Sequence, residues 1–78
     1  MVQVKVYSTP SCPWCRKTKE FLRERNISFK DIDVSTNYKA AREMIEKSGQ
    51  QGVPVTEVGD DIIIGFNEEK LKRALNLK

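Results

Sequence analysis

The sequence predicts an α/β fold, a mixed four-stranded sheet flanked by three helices, in the order strand, helix, strand, helix, strand, strand, helix. Three observations predict it. Val2, Val4 and Val6 alternate with Gln3, Lys5 and Tyr7, which is the period of a strand. Two later stretches place apolar residues three and four apart, the spacing of helices with one buried face. Two short β-branched runs then flank Gly59-Asp60, the signature of a tight hairpin. With 78 residues there is room for one domain spanning 1–78.

Each element has its own justification. After the first strand, Ser8-Thr9-Pro10-Ser11 reads as a loop. A helix follows from about Pro13 to Asn26, with Cys15, Thr18, Phe21 and Leu22 on its inner face. Ile27 to Val34 reads as the second strand, with Phe29 and Ile32 as its core contributors. Ser35-Thr36-Asn37 supplies capping residues for a second helix, which runs to about Ser48 with Ala41, Met44 and Ile45 inward. Gly49 can stop it in a left-handed turn. Pro54 to Val58 and Ile62 to Ile64 are the hairpin strands. Asn67 caps the last helix, which begins near Glu68, and Glu68 and Glu69 suit its positive end. Phe66 and Leu71 have the spacing of a hydrophobic staple, and Leu71, Ala74 and Leu75 form the inner stripe. The first strand, helix and second strand make a parallel unit with a right-handed crossover, and the hairpin adds an antiparallel pair.

Composition narrows the function. Apolar residues make up 38% of the chain and charged residues 32%, the balance of a folded soluble protein. The longest apolar run, Ile62 to Ile64, cannot span a bilayer, and Met1 to Val6 lacks the apolar stretch of a secretory signal. A cytoplasmic monomer with no membrane partner is the expectation. The net charge of +3 comes from 14 basic and 11 acidic residues scattered along the chain, which argues against a nucleic-acid partner. Arg16, Lys17 and Lys19 form the densest basic group. They read either as a solvated helix face or as local positive potential beside a thiolate.

The two cysteines form a C-x-x-C, and there is no histidine. Three readings compete. As a structural staple, so short a loop gains only about 2 kcal/mol, and the cytosol reduces disulfides. A zinc site needs four ligands, and two thiolates without an imidazole complete it only if a dimer shares the metal, so none is expected. A redox-active dithiol fits the surroundings best. Cys12 takes the cap position of the first helix and Pro13 its first turn, where a missing N–H costs nothing. Backbone N–H groups and the helix dipole then favour a thiolate at Cys12. A stable thiolate is also a good leaving group, which suits a carrier that must pass disulfides on. Cys15 lies one turn further in and is less exposed, as suits a resolving thiol.

Here a resemblance becomes plain. Val6-Tyr7-Ser8-Thr9-Pro10-Ser11-Cys12-Pro13-Trp14-Cys15 resembles the active-site segment of glutaredoxins and glutaredoxin-like redoxins, which have the thioredoxin-like fold. Gly52-Val53-Pro54-Val55 resembles their cis-proline loop, and Ile64-Gly65-Phe66-Asn67-Glu68 their glycine turn before the last helix. The resemblance spans nearly the whole chain. It implies a thiol–disulfide oxidoreductase that reduces protein disulfides or glutathione mixed disulfides, with Cys12 the nucleophile and Cys15 the resolving thiol. It also implies a cis Pro54 facing the dithiol, and a Val53 backbone that pairs with an extended thiol substrate. Thr9, Pro13 and Trp14 belong to the active-site loop. The resemblance further implies that Val53, Pro54, Gly65, Phe66, Asn67 and Glu68 line the place for substrate or glutathione. No bound cofactor is implied, glutathione entering as a co-substrate.

The departures from the family pattern bear on the electron source. Many glutathione-using members carry a lysine three residues before the first cysteine, where this chain has Thr9. Gly52 replaces a threonine, and Gly65-Phe66-Asn67-Glu68-Glu69 replaces a glycine pair followed by a polar residue and aspartate. The free N–H groups of that helix start can still bind an anion. The Gly-Phe version is similar to redoxins of the NrdH type, which draw electrons from thioredoxin reductase but usually lack the central Pro-Trp. Glutathione and a thioredoxin-reductase-like flavoprotein are thus the two expected reductants. Trp14 reads either as a partner contact or as a shield over the disulfide. Tyr7, Phe29 and Tyr38 take structural roles. A redox-sensing binding module and a cluster shared between protomers are the competing classes.

Overall fold

The computed structural model describes residues 3–76. Its elements are β1 (Val4–Ser8), α1 (Pro13–Glu24), β2 (Lys30–Asp33), α2 (Tyr38–Ser48), β3 (Val55–Val58), β4 (Asp61–Ile64) and α3 (Glu68–Ala74). The expected order holds throughout; Val2 lies outside the described residues. The sheet runs β2-β1-β3-β4. β1 pairs with β2 in parallel, Val6 beside Asp31 and Ser8 beside Asp33. It pairs with β3 antiparallel, Val6 beside Thr56, and β3 pairs with β4 in the hairpin. The sheet is therefore mixed, as expected of the fold class.

Helices cover both faces, so both sides of β1 are buried. On one face Val4, Val6, Val58 and Ile63 pack with Phe21 and Leu22 of α1 and Leu71 of α3. Phe29 and Phe66 pack against this cluster from its margin. On the other face Tyr7 and Val55 pack with Ala40 and Met44 of α2. Tyr7 is wholly buried there, which gives it the core role.

Local signals end the helices as the sequence suggests. Asn37 accepts from the Ala40 N–H at the start of α2, and Gly49 closes it in the left-handed region at φ 76°. Asn67 accepts from the Lys70 N–H at the start of α3. The inner face of α2 is rotated from the one expected. Ala40 and Met44 are buried, Ala41 is half-buried and Ile45 is exposed. Period alone allows either stripe; the fit of Ala40 against the Tyr7 and Val55 side of the sheet selects this one. Tyr38 stands in solvent and belongs to neither core. α1 is also two residues shorter than expected. Asn26 takes a positive φ of 57° and donates to the Arg23 carbonyl, which turns the chain toward β2.

Candidate functional site

The two cysteines sit where β1 gives way to α1. Cys12 is extended (φ −93°, ψ 112°) and caps the helix, with Pro13 in the first turn. The Cys15 N–H donates to Cys12 Sγ at 3.2 Å. This bond occupies an otherwise free helix donor and aims its positive end at the sulfur. The loop is closed from the β1 side by the Cys12 N–H, which donates to the Thr9 carbonyl at 3.3 Å. Thr9 thus shapes the loop through its backbone.

The second motif arrives from 41 residues along the chain. The Val53–Pro54 peptide bond is cis, as the resemblance implies. The Cys12 thiol donates to the Val53 carbonyl at 3.9 Å. Pro54 is buried beside it and starts the chain toward β3. The Gly65 N–H donates to the Pro54 carbonyl at 2.8 Å, with Gly65 at φ 74°, a conformation a side chain would strain. This bond ties the third motif to the second. Phe66, next in the chain, stacks on Trp14 with ring centroids 6.3 Å apart. Trp14 is 54% exposed, and Lys17 lies over its ring at 4.7 Å. The second motif therefore touches the half-buried Cys12 sulfur, and the third is joined to it through Pro54 and Trp14.

Asn67 and Glu68 stand one step further out. The Asn67 side chain takes the Lys70 N–H for itself, and Glu68 and Glu69 bring two carboxylates to the first turn of α3. This end of the site is less suited to an anion than a bare helix start would be.

Cys15 differs from Cys12 in every respect but its chemistry. It is wholly buried on the inner face of α1. Burial, then its bond with Cys12, push its thiol up from 9.0 to about 12. A backbone bond from Thr9 and the charge of Lys19 pull the other way without prevailing.

On the edge strand β2, beside α1, lies a polar group that the sequence did not single out. Ser8 Oγ donates to Asp31 Oδ1 at 2.9 Å, and Lys19 Nζ donates to Asp31 Oδ2 at 3.1 Å. The signal was present but faint. Taking Ile32 as a core residue turns Asp31 to the opposite face of β2, the face that α1 covers. Of Arg16, Lys17 and Lys19, Lys19 is thus held at Asp31, Lys17 lies over Trp14 and Arg16 is exposed. No group of three or more metal-binding side chains occurs among the described residues, and no helix there is long and apolar enough to cross a membrane.

Known proteins resemble this chain in sequence and fold. The glutaredoxin family model matches residues 4–63. An uncharacterized glutaredoxin-like 8.6 kDa protein in a rubredoxin operon of Clostridium pasteurianum is 46% identical over 72 residues, covering 92% of this chain and 96% of that protein. The crystal structure of a glutaredoxin from Archaeoglobus fulgidus superposes with a TM-score of 0.88 at 34% identity, covering 96% of this chain and 87% of that one. The NrdH-redoxin of Escherichia coli, described as glutaredoxin-like with a thioredoxin-like activity profile, superposes at 0.81 with 27% identity over 91% of this chain and 92% of its own.

Proposed function

We propose that this chain, which belongs to the glutaredoxin family, reduces disulfides through a two-cysteine cycle at Cys12 and Cys15. Family and fold support thiol–disulfide redox chemistry. The observation that carries the finer reading is the position of Cys12, which caps α1, receives the Cys15 N–H and faces the Val53 carbonyl. Cys12 as thiolate attacks one sulfur of a substrate disulfide. A mixed disulfide forms, and the other substrate sulfur leaves as thiolate and takes a proton. Cys15 then loses its proton to solvent and attacks Cys12 Sγ. The Cys12–Cys15 disulfide forms as the second substrate thiolate departs. Two electrons have passed to the substrate, and an external reductant restores the dithiol.

Protein disulfides are the substrates this site supports best. Trp14 and Phe66 offer an aromatic surface beside the sulfur, and Val53 offers a backbone carbonyl to an extended segment. Glutathionylated proteins are the second reading, supported by family membership and by the exposed Arg16 and Lys17 near the dithiol. The chain works as a monomer in the cytoplasm, binds no cofactor or metal, and has neither nucleic acid nor membrane as partner.

The reductant is tested directly. The oxidised protein is offered glutathione with glutathione reductase, or a thioredoxin reductase, and NADPH consumption is followed. The carboxylates at the start of α3 and Thr9 in place of lysine favour the flavoprotein. Turnover several-fold faster with thioredoxin reductase is the expected result. Faster turnover with glutathione would make glutathione the electron donor, and no turnover with either would remove the carrier reading.

A further inference from the structure

Cys15 carries a difficulty for the cycle just described. It must act as a thiolate, yet it is buried and its thiol is held far above neutrality. We infer that Lys19 is the positioning residue for Cys15: its ammonium, held by Asp31 of β2 and one helix turn from Cys15, supplies the charge that lets Cys15 ionise for the resolving step, an assignment that rests on the dithiol cycle above.

The geometry is unusual for a helix lysine. Lys19 follows Cys15 by four residues, so both lie on one helix face, one turn apart. The Lys19 side chain is only 18% exposed, where a solvated lysine would extend into water. It reaches instead to Asp31 on β2, whose other oxygen is held by buried Ser8 at the end of β1. This fixes the ammonium beside a carboxylate that opposes it, but the Asp31 side chain is 45% exposed against 18% for Lys19, so water screens the carboxylate more. Two other groups are felt there. Cys12 bears on Cys15 from the helix cap, and Asp33 on β2 feels the charge of Lys19 while bonded to Ser35. The remaining side chains on this face do not titrate in the working range: Val4, Val6 and Ser8 from β1, Thr56 and Val58 from β3, and Leu71 from α3.

The state of Cys12 decides when Lys19 matters. In the reduced protein, the bond with Cys12 and its charge both oppose ionisation of Cys15. Once Cys12 is tied up in a mixed disulfide, its sulfur is neutral and carries no proton. Burial remains as the opposing influence, and Lys19 and the Thr9 backbone remain as the favourable ones. Lys19 thus acts with least opposition in the state in which Cys15 must attack. In that step the Cys15 proton passes to solvent, the Cys15–Cys12 bond forms, and the second thiolate leaves Cys12 with the electron pair.

The test isolates this step. Cys12 is loaded with 2-nitro-5-thiobenzoate as a mixed disulfide, and release of the coloured thiolate is followed by stopped flow from about pH 6 to 10. Lys19→Met is expected to slow release by roughly three- to tenfold near pH 7 and to move the midpoint of the pH profile upward. Lys19→Arg, which keeps the charge, should retain the wild-type profile. Lys19→Gln serves if the methionine variant folds poorly. An unchanged midpoint in the neutral variants would overturn the role, whether or not the rate falls, because a merely structural contribution moves the rate alone. Failure of the wild-type protein to release the thiolate at all would instead overturn the dithiol cycle.

Discussion

Cys12 and Cys15 occupy one turn of the same helix, yet the fold gives them opposite surroundings. Cys12 lies at the cap, half-buried, with a helix N–H on its sulfur and a carbonyl from the cis-proline loop beside it. Cys15 lies under the helix with no exposed surface, and burial holds its proton on. In the proposed cycle the first sulfur meets substrate, and the second meets only the first. The difference teaches how one motif divides a two-electron reaction. Three residues of helix rotate a side chain from a half-buried cap to a buried face, and in the proposed cycle the dielectric change between those places separates nucleophile from resolving thiol.

The strongest way to break this division is to remove each sulfur in turn. Cys12→Ser is expected to reduce disulfide reduction to the uncatalysed rate, since no other thiol reaches the surface of the site. Cys15→Ser is expected to stop protein-disulfide reduction at the mixed disulfide, which mass spectrometry would detect as a covalent adduct on Cys12. Exchange of glutathione mixed disulfides, which can proceed on one sulfur, would survive in that variant. Full activity in Cys12→Ser would reverse the assignment of roles.

A smaller effect follows from the raised thiol. Its ordinary value is 9.0 and its value in the fold is about 12. Between those values the native chain holds a proton that the unfolded chain releases. The resulting stability is fully present below about pH 9 and is lost as pH rises toward about pH 12. Urea unfolding of the reduced protein at about pH 8 and about pH 10.5 should show this loss, and Cys15→Ala should lessen it. Equal losses in both proteins would mean that the burial of Cys15 does not govern its titration.

The smallest effect belongs to the exposed side of the comparison. Trp14→Ala removes a ring that is 54% exposed, so stability should change by about 1 kcal/mol or less. If the ring is a partner contact, KM for a protein disulfide should rise by about three- to tenfold with kcat little altered. A fall in kcat at constant KM would point instead to a shield over the reacting sulfurs.

Much of this was legible in the chain itself. The alternation of Val4 and Val6, the spacing of Cys15, Thr18, Phe21 and Leu22, and the caps at Cys12, Asn37, Gly49 and Asn67 each report a local balance of solvation and backbone geometry. Such balances need no knowledge of the rest of the fold, so they determined the element order and the place of the dithiol at a helix start. The tertiary structure decided what depends on distant partners. It chose Ala40 rather than Ile45 as the buried side of α2, because helical period leaves a stripe free to rotate by a residue until a neighbour fixes it. It brought Val53 to Cys12 and Gly65 to Pro54. It also joined Lys19, Asp31 and Ser8, a meeting set by the parallel register of β1 and β2. Residues so far apart in sequence share no local signal, and only the strand order that packs both faces of the sheet makes them neighbours.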